Sequence, residues 1–97
     1  MQARVVTVQI KPGRMDDAIS IYRDSVVPAA NQLPGSKGLR LLTDATTGKC
    51  ISISLWETEA DMEAGEASGY YQEQIAKFAD VFAAPPTMEH YEVSVVE

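Results

Sequence analysis

The sequence predicts an α+β domain of order β-α-β-β-α-β, a ferredoxin-like arrangement in which a four-stranded antiparallel sheet carries both helices on one face. Three observations carry that expectation. Short segments rich in β-branched residues alternate with a period of two. Two longer segments repeat apolar residues at spacings of three and four. Turns rich in Pro, Gly and Asp separate them, and right-handed crossovers then fix the topology.

Residues 3–10 form the first strand, with Val6, Val8 and Ile10 on one face. Pro12 and Gly13 make the turn that follows, and Asp16 and Asp17 sit near the positive end of the next helix. Its stripe runs Met15, Ala18, Ile19, Tyr22, Val26, Ala29 and Leu33. Pro28 lies inside it, lacks a backbone donor and crowds the carbonyl of Asp24, so a kink or restart is expected there. Pro34 and Gly35 close the helical region. Residues 38–44 are the second strand, Asp44 to Gly48 a hairpin loop, and residues 49–56 the returning third strand.

Along that third strand, Ile51, Ile53 and Leu55 share one face, and Cys50, Ser52, Ser54 and Trp56 share the other. Thr58 and Asp61 have the spacing of a helix-capping box. The second helical stripe runs from Ala60 to Phe82, and Gly65 and Gly69 each weaken it by roughly 1 kcal/mol relative to Ala. A break near Gly69 is expected. Pro85 and Pro86 stop the helix, and residues 88–96 are the last strand.

The length of 97 residues fits one domain, residues 1–97, whose core is marginal without a partner subunit. The net charge of -6 argues against nucleic acid or an anionic membrane as partner, and it supplies no broad field for anionic substrates. A single cysteine permits no intrachain disulfide and, with no leader-like N-terminus or membrane-length apolar run, points to the cytoplasm. Helices on one face leave the other face of the sheet open. The expectation places Cys50, Ser52, Ser54 and Trp56 there, with Val5, Thr7, Leu42 and Val96. A face this apolar calls for a second copy, so a two-fold homodimer, sheet against sheet, is expected.

The chain resembles the antibiotic biosynthesis monooxygenase family of the dimeric α/β-barrel superfamily. The residues that carry the likeness are Ile10 to Arg14, Leu33 to Gly35, and above all Trp56 to Ala60 running through Ala64 to Ser68, Gly69, Tyr70 and Tyr71. The order and spacing of these short motifs cover essentially the whole chain. The resemblance implies a small-molecule ligand and cofactor-free oxidation of polycyclic phenols, in which the substrate supplies the electrons and the protein orients and desolvates it. Gly65 and Tyr70 stand where the family often carries histidines, and Ser52 stands where one type of site carries an asparagine. Haem-degrading relatives would need an Asn, a Trp and a His at the positions of Val6, Gly65 and Ile75, which argues against haem oxygenation.

For catalysis the candidates are His90, Trp56 and Tyr70. His90 is the sole histidine, the residue type most often used as a general acid or base. The Trp56 indole could donate to a ligand, although burial alone accounts for a tryptophan at a strand end. Tyr70 adjoins the helix break. Tyr22, Asn31 and Tyr71 are candidate substrate-binding residues, although Tyr22 and Tyr71 are better read as continuing the apolar helix stripes. No cofactor is expected, and one histidine without clustered cysteines or suitably spaced carboxylates argues against a metal. Cys50 has no activating neighbour in sequence, and the acidic run from Glu57 to Glu66 reads as a solvated helix face. The rival reading is a non-catalytic dimeric binding or stress-associated module of the same fold. A packed interior between helices and sheet would favour the module; an open cleft would favour chemistry.

Overall fold

The computed structural model describes residues 1–97. Strands β1 (Gln2–Gln9), β2 (Ser36–Asp44), β3 (Lys49–Trp56) and β4 (Thr87–Glu92) form one sheet in the order β2-β3-β1-β4, with every neighbour antiparallel. Helices α1 (Met15–Ile21), α2 (Val27–Asn31), α3 (Glu59–Ala67) and α4 (Tyr70–Ala76) complete the α+β fold. β4 is shorter than expected: it ends at Glu92, and Val95 and Val96 are exposed beyond it.

Pro28 interrupts the first helical region without breaking its path. A π-helical turn, Tyr22–Val26, joins α1 to α2, and the N–H of Val27 bonds back to the carbonyl of Tyr22. Pro28 falls at the start of α2, directly after this turn; it has no N–H to give, and a widened turn is one way a helix accommodates that. The second helical region breaks where Gly69 predicts. Ser68 caps α3, Gly69 adopts φ +88°, and α4 restarts at Tyr70. At the start of α3 the Thr58 hydroxyl accepts from the N–H of Asp61 at 3.0 Å.

The two faces of β3 are the reverse of the expectation. Val8 pairs with Cys50, Val6 with Ser52 and Arg4 with Ser54, and directly opposed residues share a face. The Tyr22 hydroxyl meets Ser52 Oγ at 2.8 Å, and the Cys50 thiol meets Met15 Sδ at 3.3 Å. Cys50, Ser52, Ser54 and Trp56 therefore look toward the helices. The face without helices holds Ile51, Ile53 and Leu55 with Val5, Thr7 and Leu42, so Val5, Thr7 and Leu42 lie where expected. The physical reason is that both serines are satisfied inside, by Tyr22 and by the Trp56 indole. The more apolar set of β3 is left half-buried on the free face.

The buried cluster joins Ile10 and Cys50 of the sheet to Ala18, Tyr22 and Val26 above it, with Phe78 and Val81 at the end of the second helical region. Phe78 and Phe82 stack with centroids 5.4 Å apart. An isolated bridge between Ile10 and Phe82 ties that end to the sheet.

Candidate functional site

Between the helices and the sheet lies a cleft, open at its mouth, with about 70 Å³ of internal space. Val6, Val8, Leu39 and Leu41 form part of its floor, and Ile75, Phe78 and Phe82 come from the second helical region. Its polar groups are few: three tyrosines, Ser52, Ser54, Gln74 and Arg4.

The π turn aims Tyr22 at the sheet, where its hydroxyl meets Ser52 Oγ and donates more weakly to the carbonyl of Arg40 at 3.4 Å. Burial raises the Tyr22 pKa, against the lowering effects of Ser52 and of the nearby Arg4 charge. Tyr70 opens α4 directly after the left-handed Gly69, a placement that swings it into the cleft. Burial pushes its pKa up to about 12, with Arg4 lowering and Tyr22 raising it by smaller amounts. Tyr71 is raised by burial as well, with Arg4 opposing and Glu66 adding to the shift. Burial thus keeps all three phenols protonated, so each carries an O–H that a ligand can accept from. Gln74 accepts from Ser25 Oγ at 2.8 Å, which fixes its amide at the wall. Burial also raises the Cys50 thiol, consistent with an inert core cysteine.

The group that sequence reasoning missed is Arg4. Its side chain is 3% exposed, and Nη1 donates to Glu66 Oε2 at 3.0 Å. The guanidinium carbon lies 5.2 Å from the Trp56 ring centroid and 5.5 Å from that of Tyr71, within cation–π range. His90 is the β4 residue opposite Arg4, and its Nε2 lies 3.0 Å from the same Glu66 oxygen. Glu66 is therefore no solvated helix charge, as the acidic run suggested, but the centre of an Arg4–Glu66–His90 cluster. The signal for Arg4 was present: it stands two residues before Val6 and must share the face of Val6 and Val8.

Of the candidate residues, Tyr22, Tyr70 and Tyr71 converge on the cleft. Trp56 does not line it. The ring is fully buried against Gly65, and its Nε1–H donates to Ser54 Oγ at 3.0 Å. His90 sits outside the cleft against Glu66, with 39% of its side chain exposed. Asn31, the last residue of α2, is exposed and also outside, because the chain has already turned toward β2.

The family model for antibiotic biosynthesis monooxygenase matches residues 1–84. Two uncharacterized proteins of Mycobacterium tuberculosis strain H37Rv are 33% and 34% identical over 98 aligned residues, covering 97% of this chain. The chain spans about two fifths of their length, 41% and 39%. Among solved structures, a protein of unknown function from Nitrosomonas europaea superposes with a TM-score of 0.81 at 20% identity, covering 99% of this chain and 91% of its own. A Bordetella bronchiseptica protein provisionally described as an antibiotic biosynthesis monooxygenase gives 0.81 at 21% identity, covering 97% of each chain. At such identities the structures establish a common fold. The match to the family model over most of the chain establishes more: this chain belongs to the antibiotic biosynthesis monooxygenase family.

Proposed function

We propose that the chain is a cofactor-independent monooxygenase acting on a small aromatic or polyketide-like molecule bound in the helix–sheet cleft. The observation that carries this reading is the open apolar cleft with Tyr70, Tyr71 and Tyr22 directed into it. In such chemistry a ring methylene flanked by activating groups loses a proton, and the resulting carbanion or phenolate reduces dioxygen. The methylene becomes a carbonyl, one oxygen atom enters the product, and the other leaves as water with the two hydrogens. The substrate supplies all the electrons. The protein's part is to hold the ring, exclude water and donate hydrogen bonds to the developing oxyanion. Tyr70 suits the donor role because burial keeps it neutral.

Oxygen uptake by the purified protein with anthrone-type and dihydroxynaphthalene substrates tests this. Uptake stoichiometric with product is expected, and Tyr70→Phe should lower kcat by about 100- to 1,000-fold, the scale of a lost oxyanion donor. Absence of uptake across the panel would refute the enzymatic reading and favour a non-catalytic binding module. One observation already speaks for that second reading: His90, the sole histidine, is engaged with Glu66 away from the cleft.

We also propose that two copies pair through the free face of the sheet. Its exposed apolar residues would be covered by a second sheet, at the usual spacing of roughly 10 Å.

A further inference from the structure

We propose that Arg4 makes the cleft selective for an aromatic molecule bearing one anionic oxygen, a carboxylate or a phenolate. The proposal rests on the cleft being a ligand site and adds to it the charge of the ligand. Arg4 is the sole charged residue among those lining the cleft; the other polar groups there are neutral hydroxyls and one amide. Its side chain is almost wholly buried, and one of its five N–H groups is taken, by Glu66. Ser36 Oγ is the one fully enclosed side-chain polar atom that lacks a partner, so the spare Arg4 N–H groups are not sealed in protein. Arg4 lines the cleft, and that is the space we assign to them.

The surroundings fix the sort of anion. Glu66 Oε2 lies 3.0 Å from both Arg4 and His90, so one carboxylate oxygen serves two basic groups. A single, partly neutralised guanidinium suits a monoanion; a phosphate dianion would demand more positive charge. The Trp56 and Tyr71 rings hold the guanidinium in place and leave its fork preorganised for a carboxylate-like oxygen. The aromatic body then lies toward Ile75, Phe78 and Phe82. Because the chain's net charge is -6, the selectivity arises at this one buried cation and not from the protein's overall field.

Isothermal titration of the full chain at pH 7 with 2-naphthoate and with its neutral counterpart 2-naphthamide tests the idea. Binding of the anion at least about tenfold tighter is expected, the scale of a charge-assisted hydrogen bond. The preference should vanish in Arg4→Met and grow in Glu66→Gln, which frees the guanidinium while keeping the shape of its partner. A parallel pair, 4-nitrophenolate at pH 8.5 against 4-nitroanisole, tells a phenolate site from a carboxylate site. In the wild-type chain the Arg4 Nε–H resonance should move with naphthoate and stay fixed with naphthamide, which keeps the test decisive should Arg4→Met fail to fold. Equal affinities within both pairs, no binding of either anion, or an unmoved Arg4 resonance would overturn the proposal. Anion preference without oxygen uptake would leave it standing and refute the monooxygenase reading alone.

Discussion

A methyl group placed on Gly65 would lie 3.4 Å from Trp56 Cη2 and 3.4 Å from Leu33 Cδ1, at the near edge of ordinary contact. There is room for one carbon against the indole. Gly65→Ala should therefore leave stability unchanged or raise it by up to about 1 kcal/mol, the helix-propensity gain. Gly65→His, restoring the residue the family often carries, should cost about 1–3 kcal/mol by overpacking against the indole. Urea unfolding of the three proteins checks both signs, and a stabilised Gly65→His would show that the Trp56 ring moves aside. Tyr22 and Tyr71 were legible from sequence because helical stripes place them on an inward face, and Tyr70 because it adjoins the break at Gly69. The Arg4–Glu66 pair was not, because its members are 62 positions apart and only the strand order brings them together. A solvated acidic run and an isolated strand arginine are each the ordinary reading of such residues alone.

Breaks in the elements were more legible than their facing. Pro28 and Gly69 both mark departures from regular helix for local reasons, one lacking a donor and the other tolerating positive φ. A Cβ on Gly69 would meet nothing within 4 Å, so its role is conformational. Gly69→Ala should destabilise by about 1–2 kcal/mol through the left-handed backbone alone. It should also displace Tyr70, so ligand affinity and thermal stability should fall together; unchanged melting by circular dichroism would contradict this account. The facing of β3 was not legible. Alternation divides a strand into two sets but does not say which set is inside, and the apolar set is the obvious choice. Here the serines go in because Tyr22 and Trp56 satisfy them.

For the whole molecule, that reversal strengthens the case for pairing. The free face presents Ile51, Ile53 and Leu55 with Leu42 half exposed, a more apolar surface than the set expected there. Light scattering should give twice the chain mass of 10.6 kDa at micromolar concentration. Ile53→Lys, on the free face opposite Val5, should yield the monomer with its circular dichroism preserved. A monomeric wild type would remove the proposed assembly. No helix is long and apolar enough to cross a membrane.

The eight residues of β3 are read on both sides. Odd and even positions answer to different demands, one to the cleft and one to the free face, so they share a reading frame. Insertion of one residue just before Cys50 would exchange the two sets at a stroke, turning Ile51, Ile53 and Leu55 beneath the helices and the serines outward. Point substitutions can tune either surface separately. A change of length in the hairpin that shifts the strand cannot, and relatives that differ there by a single residue would have to recompose both surfaces together.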